Sequence, residues 1–222
     1  MKLVIFDVDG TLVDSQAHIV SSMTAAFAAV NLPCPDRNAI LSIVGLSLPY
    51  AVADLAPQAD TDTCARMVAA YKDAFNAIRL DMGATGFPLY AGIETAVRTL
   101  GAREDVCLAI ATGNSRRGLN ALMGDWAFSD LFISTQSADE HPSKPNPSMV
   151  AACLADANVA AADTIVVGDT TYDMEMARAA KCHGLGVLWG YHGRYALLSA
   201  GAARVLDDVA GLSAALDEIW KG

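Results

Sequence analysis

Short aliphatic and β-branched runs recur along the chain, each too brief to be a helix and most of them followed by a helical pattern. Leu3 to Phe6, Val106 to Ala111, Leu131 to Ile133, Thr164 to Val167, Gly186 to Leu188 and Arg204 to Leu206 read as buried strands. Helical patterns cover Gly92 to Leu100, Arg116 to Met123, Pro147 to Ala157, Tyr172 to Lys181 and Val209 to Trp220. Strands alternating with helices of this length predict βαβ units, and hence an α/β fold built on a doubly wound parallel sheet.

One stretch breaks the alternation. From Ser15 to about Gly86 there is no strand pattern, only alanine-rich stretches at helical spacing interrupted by Pro33, Pro35, Pro49 and Pro57. This predicts a small helical domain, residues 15–86, inserted into a catalytic core made of residues 1–14 and 87–222. Its expected hinges are Gly10 to Asp14 and the run Gly83-Ala84-Thr85-Gly86-Phe87-Pro88.

A chain of 222 residues that is 53% hydrophobic can bury a substantial core. With 15 Lys and Arg against 25 Asp and Glu, its net charge of -10 leaves no broad basic surface, so neither nucleic acid nor a membrane is an expected partner. An anionic substrate must be met by a few local cations or by a metal held on the chain's own carboxylates. The five cysteines are widely spaced, odd in number and free of any CxxC pair, which suits a reducing compartment. The apolar run Leu3 to Phe6 is too short for a signal-peptide core, and no stretch approaches the roughly 20 residues of a membrane span, so a soluble cytoplasmic protein is expected.

Four segments carry chemistry. Asp7-Val8-Asp9-Gly10-Thr11 follows the first strand, at the sheet edge where open α/β sheets bind ligands, and residues two apart in extended backbone point the same way. Taken alone, this is also an ordinary Asx-capped turn. Thr112-Gly113-Asn114-Ser115 offers a hydroxyl and small-residue amides at a helix start, a setting that favours anions but equally one that Asn114 or Ser115 would simply cap. Ser143-Lys144-Pro145-Asn146-Pro147 presents one ammonium in a proline-constrained turn before a helix that Asn146 would cap. Gly168-Asp169 follows another strand, with Asp173 one helical turn on; an N-cap role for Asp169 is the alternative.

Together these place Asp7, Asp9 and Asp169 at strand ends beside Thr112 and Lys144. Three ionised carboxylates about 4 Å apart would repel by roughly 4 kcal/mol per pair at an effective dielectric near 20, or about 12 kcal/mol in all. That rivals a domain's whole stability of about 5–15 kcal/mol, so a cation or a shared proton is required. Hard oxygen donors with open positions suit Mg²⁺ better than zinc.

These four segments, in this order, resemble the motifs of the haloacid dehalogenase superfamily, and they span nearly the whole chain. The resemblance implies that Asp7 is a nucleophile transiently phosphorylated and that Asp9 protonates the leaving oxygen and later activates water. It implies that Thr112, Gly113, Asn114 and Lys144 hold the phosphoryl group. Mg²⁺ would sit on Asp7, Asp169 and the backbone carbonyl of Asp9, with Asp173 in support. A helical insertion after Asp14 resembles the subfamily I cap, and Asp14-Ser15 and Leu89-Tyr90-Ala91-Gly92 are similar to the cap borders of phosphoglycolate phosphatases, with Ala91 where a proline is common. His18 stands where those enzymes often carry aspartate; it, Gly45 and Ser47 are the candidate specificity residues, although His18 is also readable as helix surface. The expected partner is a small-molecule phosphate ester, and the expected state a monomer or homodimer.

The competing readings are a phosphomutase of the β-phosphoglucomutase type and a catalytically silent binding module. The mutase resemblance would ask for a histidine and an arginine where this chain has Ile19 and Leu48. A silent module would have no need for the intact acidic and cationic set. A true dehalogenase usually lacks the second aspartate, so Asp9 and Asp169 argue against it.

Overall fold

The computed structural model describes residues 1–221, so Gly222, the last residue of the expected core, lies outside the described residues. Six strands, β1 (Lys2–Phe6), β2 (Val106–Thr112), β3 (Phe132–Ser137), β4 (Thr164–Gly168), β5 (His183–Val187) and β6 (Ala202–Leu206), form one sheet in the order β3-β2-β1-β4-β5-β6. Every pairing is parallel, as the sequence pattern predicts. The chain first winds outward from β1 to β3 and then returns to pair β4 with β1 on the other side. The strand order therefore reverses beside β1, and the carboxyl ends of β1, β2 and β4 open onto that switch point.

Alternate residues of the central strands feed two cores. Val4, Phe6, Leu108, Ile110, Ile165 and Val167 pack with α5 (Ile93–Gly101), α6 (Arg116–Met123) and α10 (Leu212–Ile219). Leu3, Ile5, Ala109, Ala111 and Val166 pack with α7 (Ser148–Ala157) and α8 (Thr171–Ala179). Burial on both faces is why these strands read as unbroken apolar runs rather than alternating ones.

Between β1 and α5 lie α1 (Gln16–Ala29), α2 (Arg37–Ser42), α3 (Leu48–Leu55) and α4 (Thr61–Met82), followed by a 3₁₀ turn at Gly83–Gly86. Ile19, Met23, Phe27, Ile40, Val52 and Met67 from these four helices build an apolar cluster apart from the sheet's two cores. Asp36 and Asp60 cap α2 and α4 by accepting from Ala39 N and Thr63 N. Ser15, at the N-cap of α1, makes no capping bond, because its hydroxyl donates to Asp9 instead.

Three local expectations change. β3 is Phe132–Ser137 rather than Leu131 to Ile133, because Leu131 closes a 3₁₀ turn and the strand lies at the sheet edge, where polar Thr135 and Gln136 are tolerated. β5 begins at His183, three residues before the expected start, its glycines allowing close approach of Met174 and Leu197. A helix the sequence reading missed, α9 (Arg194–Ala200), supplies the crossover that parallel pairing of β5 with β6 demands. Among the described residues no helix is long and apolar enough to cross a membrane.

Candidate active site

Register sets the site. Phe6 lies level with Ile110 of β2 and Val167 of β4, so Asp7, Thr112 and Asp169 leave the sheet along one edge. Gly10 then turns the chain at φ +89°, and a side chain there would collide with the Asp169 carboxylate, so both backbone freedom and space demand glycine.

Asp7 is 2% exposed, and Lys144, Asp169 and Asp173 are equally buried. The Lys144 ammonium donates to Asp7 Oδ1 and to Asp173 Oδ1, both at 2.7 Å. Oxygens of Asp7, Asp169 and Asp173 all lie within 4.8 Å of one another. Asp169 is not a helix cap. Its Oδ1 accepts from Thr11 Oγ1 at 2.8 Å and its Oδ2 from Tyr191 N at 2.9 Å. The cap of α8 is Thr170, in a reciprocal capping box with Asp173. Asn146 likewise yields the cap of α7 to Pro147, and its side chain accepts from Ser148 N.

Asp9 is not one of that carboxylate trio. Its two oxygens accept from Ser15 Oγ at 2.7 Å and Asn114 Nδ2 at 3.2 Å. Thr112 Oγ1 accepts from Asn114 N, and Ser115 rather than Asn114 caps α6. Asp7, Asp9, Thr112, Gly113, Asn114, Gly45 and Ser47 all line one cavity of about 870 Å³. Lys144, Asp169 and Asp173 are not among its lining residues; they join the site through Asp7. His18 does not line the cavity either. Its ring packs on Phe87, and its Nε2 bonds the Gly86 carbonyl.

Electrostatics follow from burial. Loss of water pushes the Asp7 carboxyl up to about 7; Lys144 opposes this, while Asp173 and Asp9 add to it. Burial, then the charges of Asp7 and Asp173, hold Asp169 well above the usual carboxylate range. Asp9 is also raised by burial, against the hydrogen bonds from Ser15 and Asn114. Burial pulls Lys144 down, but Asp173 and Asp7 outweigh it and the net direction is upward.

One atom has no partner where chemistry needs one: Asp7 Oδ2 is buried and makes no hydrogen bond among the described residues. Lys144 holds the other oxygen, so a single carboxylate oxygen is left directed for use.

The helices after β1 seat on this edge. Ser47 N donates to Ser143 Oγ at 2.8 Å, Tyr172 Oη to the Ser42 carbonyl at 3.3 Å, and Arg79 pairs with Asp125 at 3.1 Å. A Cβ on Gly113 would stand 2.6 Å from the Gly45 carbonyl oxygen, so glycine at 113 is what lets the two loops touch.

Sequence reasoning missed the segment after β5. Trp189 Nε1 donates to the Thr11 carbonyl, Tyr191 Oη meets Ser15 Oγ at 3.1 Å, and His192 accepts from Thr171 N. No periodicity marks these residues; their position after a strand is the one signal available.

The chain is similar to known proteins. The family described as haloacid dehalogenase-like hydrolase matches residues 4–187. A protein of Dickeya dadantii named "Probable phosphatase IndB" is 34% identical, over 96% of this chain and 94% of its own length. A plasmid-borne protein of Cupriavidus necator named phosphoglycolate phosphatase is 30% identical, over 96% of this chain and 92% of its own. The crystal structure of a hydrolase from Pseudomonas syringae superposes with a TM-score of 0.86 at 25% identity, covering 99% of both chains. With the acidic end of β1 at the switch point and a family match running from β1 through β5, the chain belongs to the haloacid dehalogenase-like hydrolases.

Proposed function

We propose that this chain is a Mg²⁺-dependent phosphatase that hydrolyses phosphate monoesters of small molecules through a phosphorylated Asp7. The observation that carries the reading is the asymmetry of Asp7: Oδ1 is held by Lys144, and Oδ2 is buried and unpartnered. The names of the Dickeya and Cupriavidus relatives support phosphate ester hydrolysis.

Oδ2 of Asp7 forms a bond to phosphorus as the bond from phosphorus to the alcohol oxygen breaks. Asp9, whose carboxyl burial biases toward the protonated form, gives its proton to that departing oxygen. The resulting Asp9 carboxylate then takes a proton from water, whose oxygen displaces Asp7 from phosphorus and releases inorganic phosphate. Ser15 and Asn114 hold Asp9 in place for both transfers. Lys144 and Thr112 offset charge on the phosphoryl oxygens in the transition state.

The donor set fits a hard divalent cation: the clustered oxygens are all buried carboxylate oxygens. Asp7 and Asp169 would hold it with the Asp9 carbonyl. Asp173, whose oxygens already accept from Lys144 and Thr170, would act in support. Bound there, the ion supplies positive charge that keeps these carboxylates ionised and neutralises the phosphoryl group.

Residues 15–86 are proposed as a cap that closes the site against bulk water. The mutase alternative gains nothing, since Ile19 and Leu48 are apolar and line the cavity. The free cysteines suit the proposed reducing cytoplasm. The test is phosphate release from a panel of monoesters with Mg²⁺ and with excess EDTA, for the parent and for Asp7→Asn. Loss of turnover in the folded variant is expected; turnover that survives either change refutes the mechanism.

A further inference from the structure

The cavity is large for phosphoglycolate, the acid that the Cupriavidus relative is named for. At about 870 Å³ it lies near the top of the range of roughly 300–1,000 Å³ that encloses drug-sized ligands. At ~30 Å³ per water it has room for roughly thirty water molecules, whereas a two-carbon phosphate ester would displace only a small share of them. The volume does not come from an unseated cap. The contacts of Ser47 with Ser143, Tyr172 with Ser42, Arg79 with Asp125 and Gly45 with Gly113 are all made around it.

Its roof has a defined chemistry. On α4, Tyr71 and Phe75 line the cavity as a nearly parallel pair, with ring centroids 5.9 Å apart and planes 15° apart. Further along the same helix face, Asn76 and Arg79 also line the cavity. Arg79 is anchored, with Nη2 on Asp125 and the guanidinium 5.4 Å from the centre of the Phe87 ring. Its Nη1 is buried and has no acceptor among the described residues. The cavity wall therefore includes two residues with orphaned buried polar atoms: Asp7, with an oxygen, and Arg79, with a donor. An unsatisfied buried donor is costly, so a turn of the guanidinium that brings Nη1 to a ligand acceptor in the cavity is favoured.

Resting on the phosphatase reading, we infer that the alcohol part of the substrate is a fused aromatic or heteroaromatic ring system with a hydrogen-bond acceptor on the side away from the phosphoryl group. The phosphoryl group occupies Asp7, the ring faces meet Tyr71 and Phe75, and the acceptor meets Arg79 Nη1. A plain alkyl chain would fill the apolar wall but leave the Arg79 Nη1 donor without an acceptor. A two-carbon acid would leave the aromatic pair uncovered.

The test uses matched alkyl esters, so that the reacting bond stays the same. Phosphate release is measured for the Mg²⁺-loaded protein with riboflavin 5′-phosphate against ribitol 5-phosphate, and with 2-(1-naphthyl)ethyl phosphate against ethyl phosphate; 2-phosphoglycolate is included. The ring-bearing ester of at least one pair is expected to show kcat/KM about 100-fold higher, the order set by burying an aromatic ring. Arg79→Met is expected to lower the ratio of kcat/KM for riboflavin 5′-phosphate, which carries ring carbonyls, to that for the naphthyl ester by about tenfold. A preference below tenfold in both pairs, or 2-phosphoglycolate as the best ester, overturns the inference while leaving the phosphatase reading intact. An Arg79→Met effect equal on both ring esters overturns the acceptor assignment. Failure to release phosphate from any ester refutes the phosphatase reading itself.

Discussion

Replacing Lys144 by methionine should destabilise the metal-free protein strongly, and more so at alkaline pH. The ammonium is completely buried and lies 2.7 Å from both Asp7 and Asp173, themselves 2% and 0% exposed. Methionine roughly keeps the volume but leaves two buried carboxylates facing each other. Breaking a buried ion pair by removing one partner costs about 3–5 kcal/mol. For a domain of this size that corresponds to about 6–20 °C in Tm, at roughly 2–4 °C per kcal/mol. The pH dependence has a definite sign. Without the ammonium, the folded-state pKa of Asp7 moves further above its unfolded value, so stability tied to its proton is present at low pH and lost as pH rises. Each proton taken up should narrow the gap between variant and parent by about 1.4 kcal/mol per pH unit on acidification. Urea and thermal unfolding in EDTA at pH 5 and pH 8, with Lys221→Met as an exposed control expected to stay within about 0.5 kcal/mol, would measure this. A loss below about 1 kcal/mol at pH 8, or one that does not vary between the two pH values, would refute the account of Lys144 as the counter-charge of the site.

Three further outcomes are expected. Saturating Mg²⁺ at about 100 times its Kd should stabilise the protein by about 2.7 kcal/mol. Because burial raises Asp7 to about 7 and holds Asp169 above the usual carboxylate range, protons compete with the ion more strongly at pH 5 than at pH 8, so at one fixed Mg²⁺ concentration the melting shift should be larger at pH 8; an equal shift would place the ion elsewhere. Gly113→Val puts side-chain carbon against the Gly45 and Leu46 carbonyls, at 2.6 and 3.0 Å for the Cβ alone, and should lower kcat/KM at least about tenfold while speeding hydrogen exchange at Ser47 N. Ser15→Ala removes one of the two hydrogen bonds on Asp9 and should cut kcat by about tenfold with little change in Tm, read by steady-state kinetics and a melt; an unchanged kcat would separate Ser15 from the proton transfers.

The central strands were legible because burial on both faces makes their interiors apolar, with polar residues only at their ends, as in Leu3-Val4-Ile5-Phe6 after Lys2. The edge strand Phe132–Ser137 was less so, since an edge tolerates Thr135 and Gln136, and α9 was invisible because seven residues offer too few turns for a pattern. The acidic residues were found by their places after strands, and Lys144 by its proline-constrained turn before a helix. Their partners were not: Thr170 rather than Asp169 caps α8, and Tyr191 closes on Asp169 from a loop that carries no motif.

By itself, then, the order of apolar runs and the chemistry of the residues following them determined the sheet, the family and the set of charged groups, because strand burial and turn chemistry are local properties. Which groups meet was decided in three dimensions. Asp7 and Lys144 are 137 positions apart in the chain, and only the parallel sheet brings them to 2.7 Å. The unpartnered oxygen of Asp7, the orphaned donor of Arg79 and the cavity that both residues line are likewise products of packing, since a hydrogen bond left unmade appears only once every neighbour is in place.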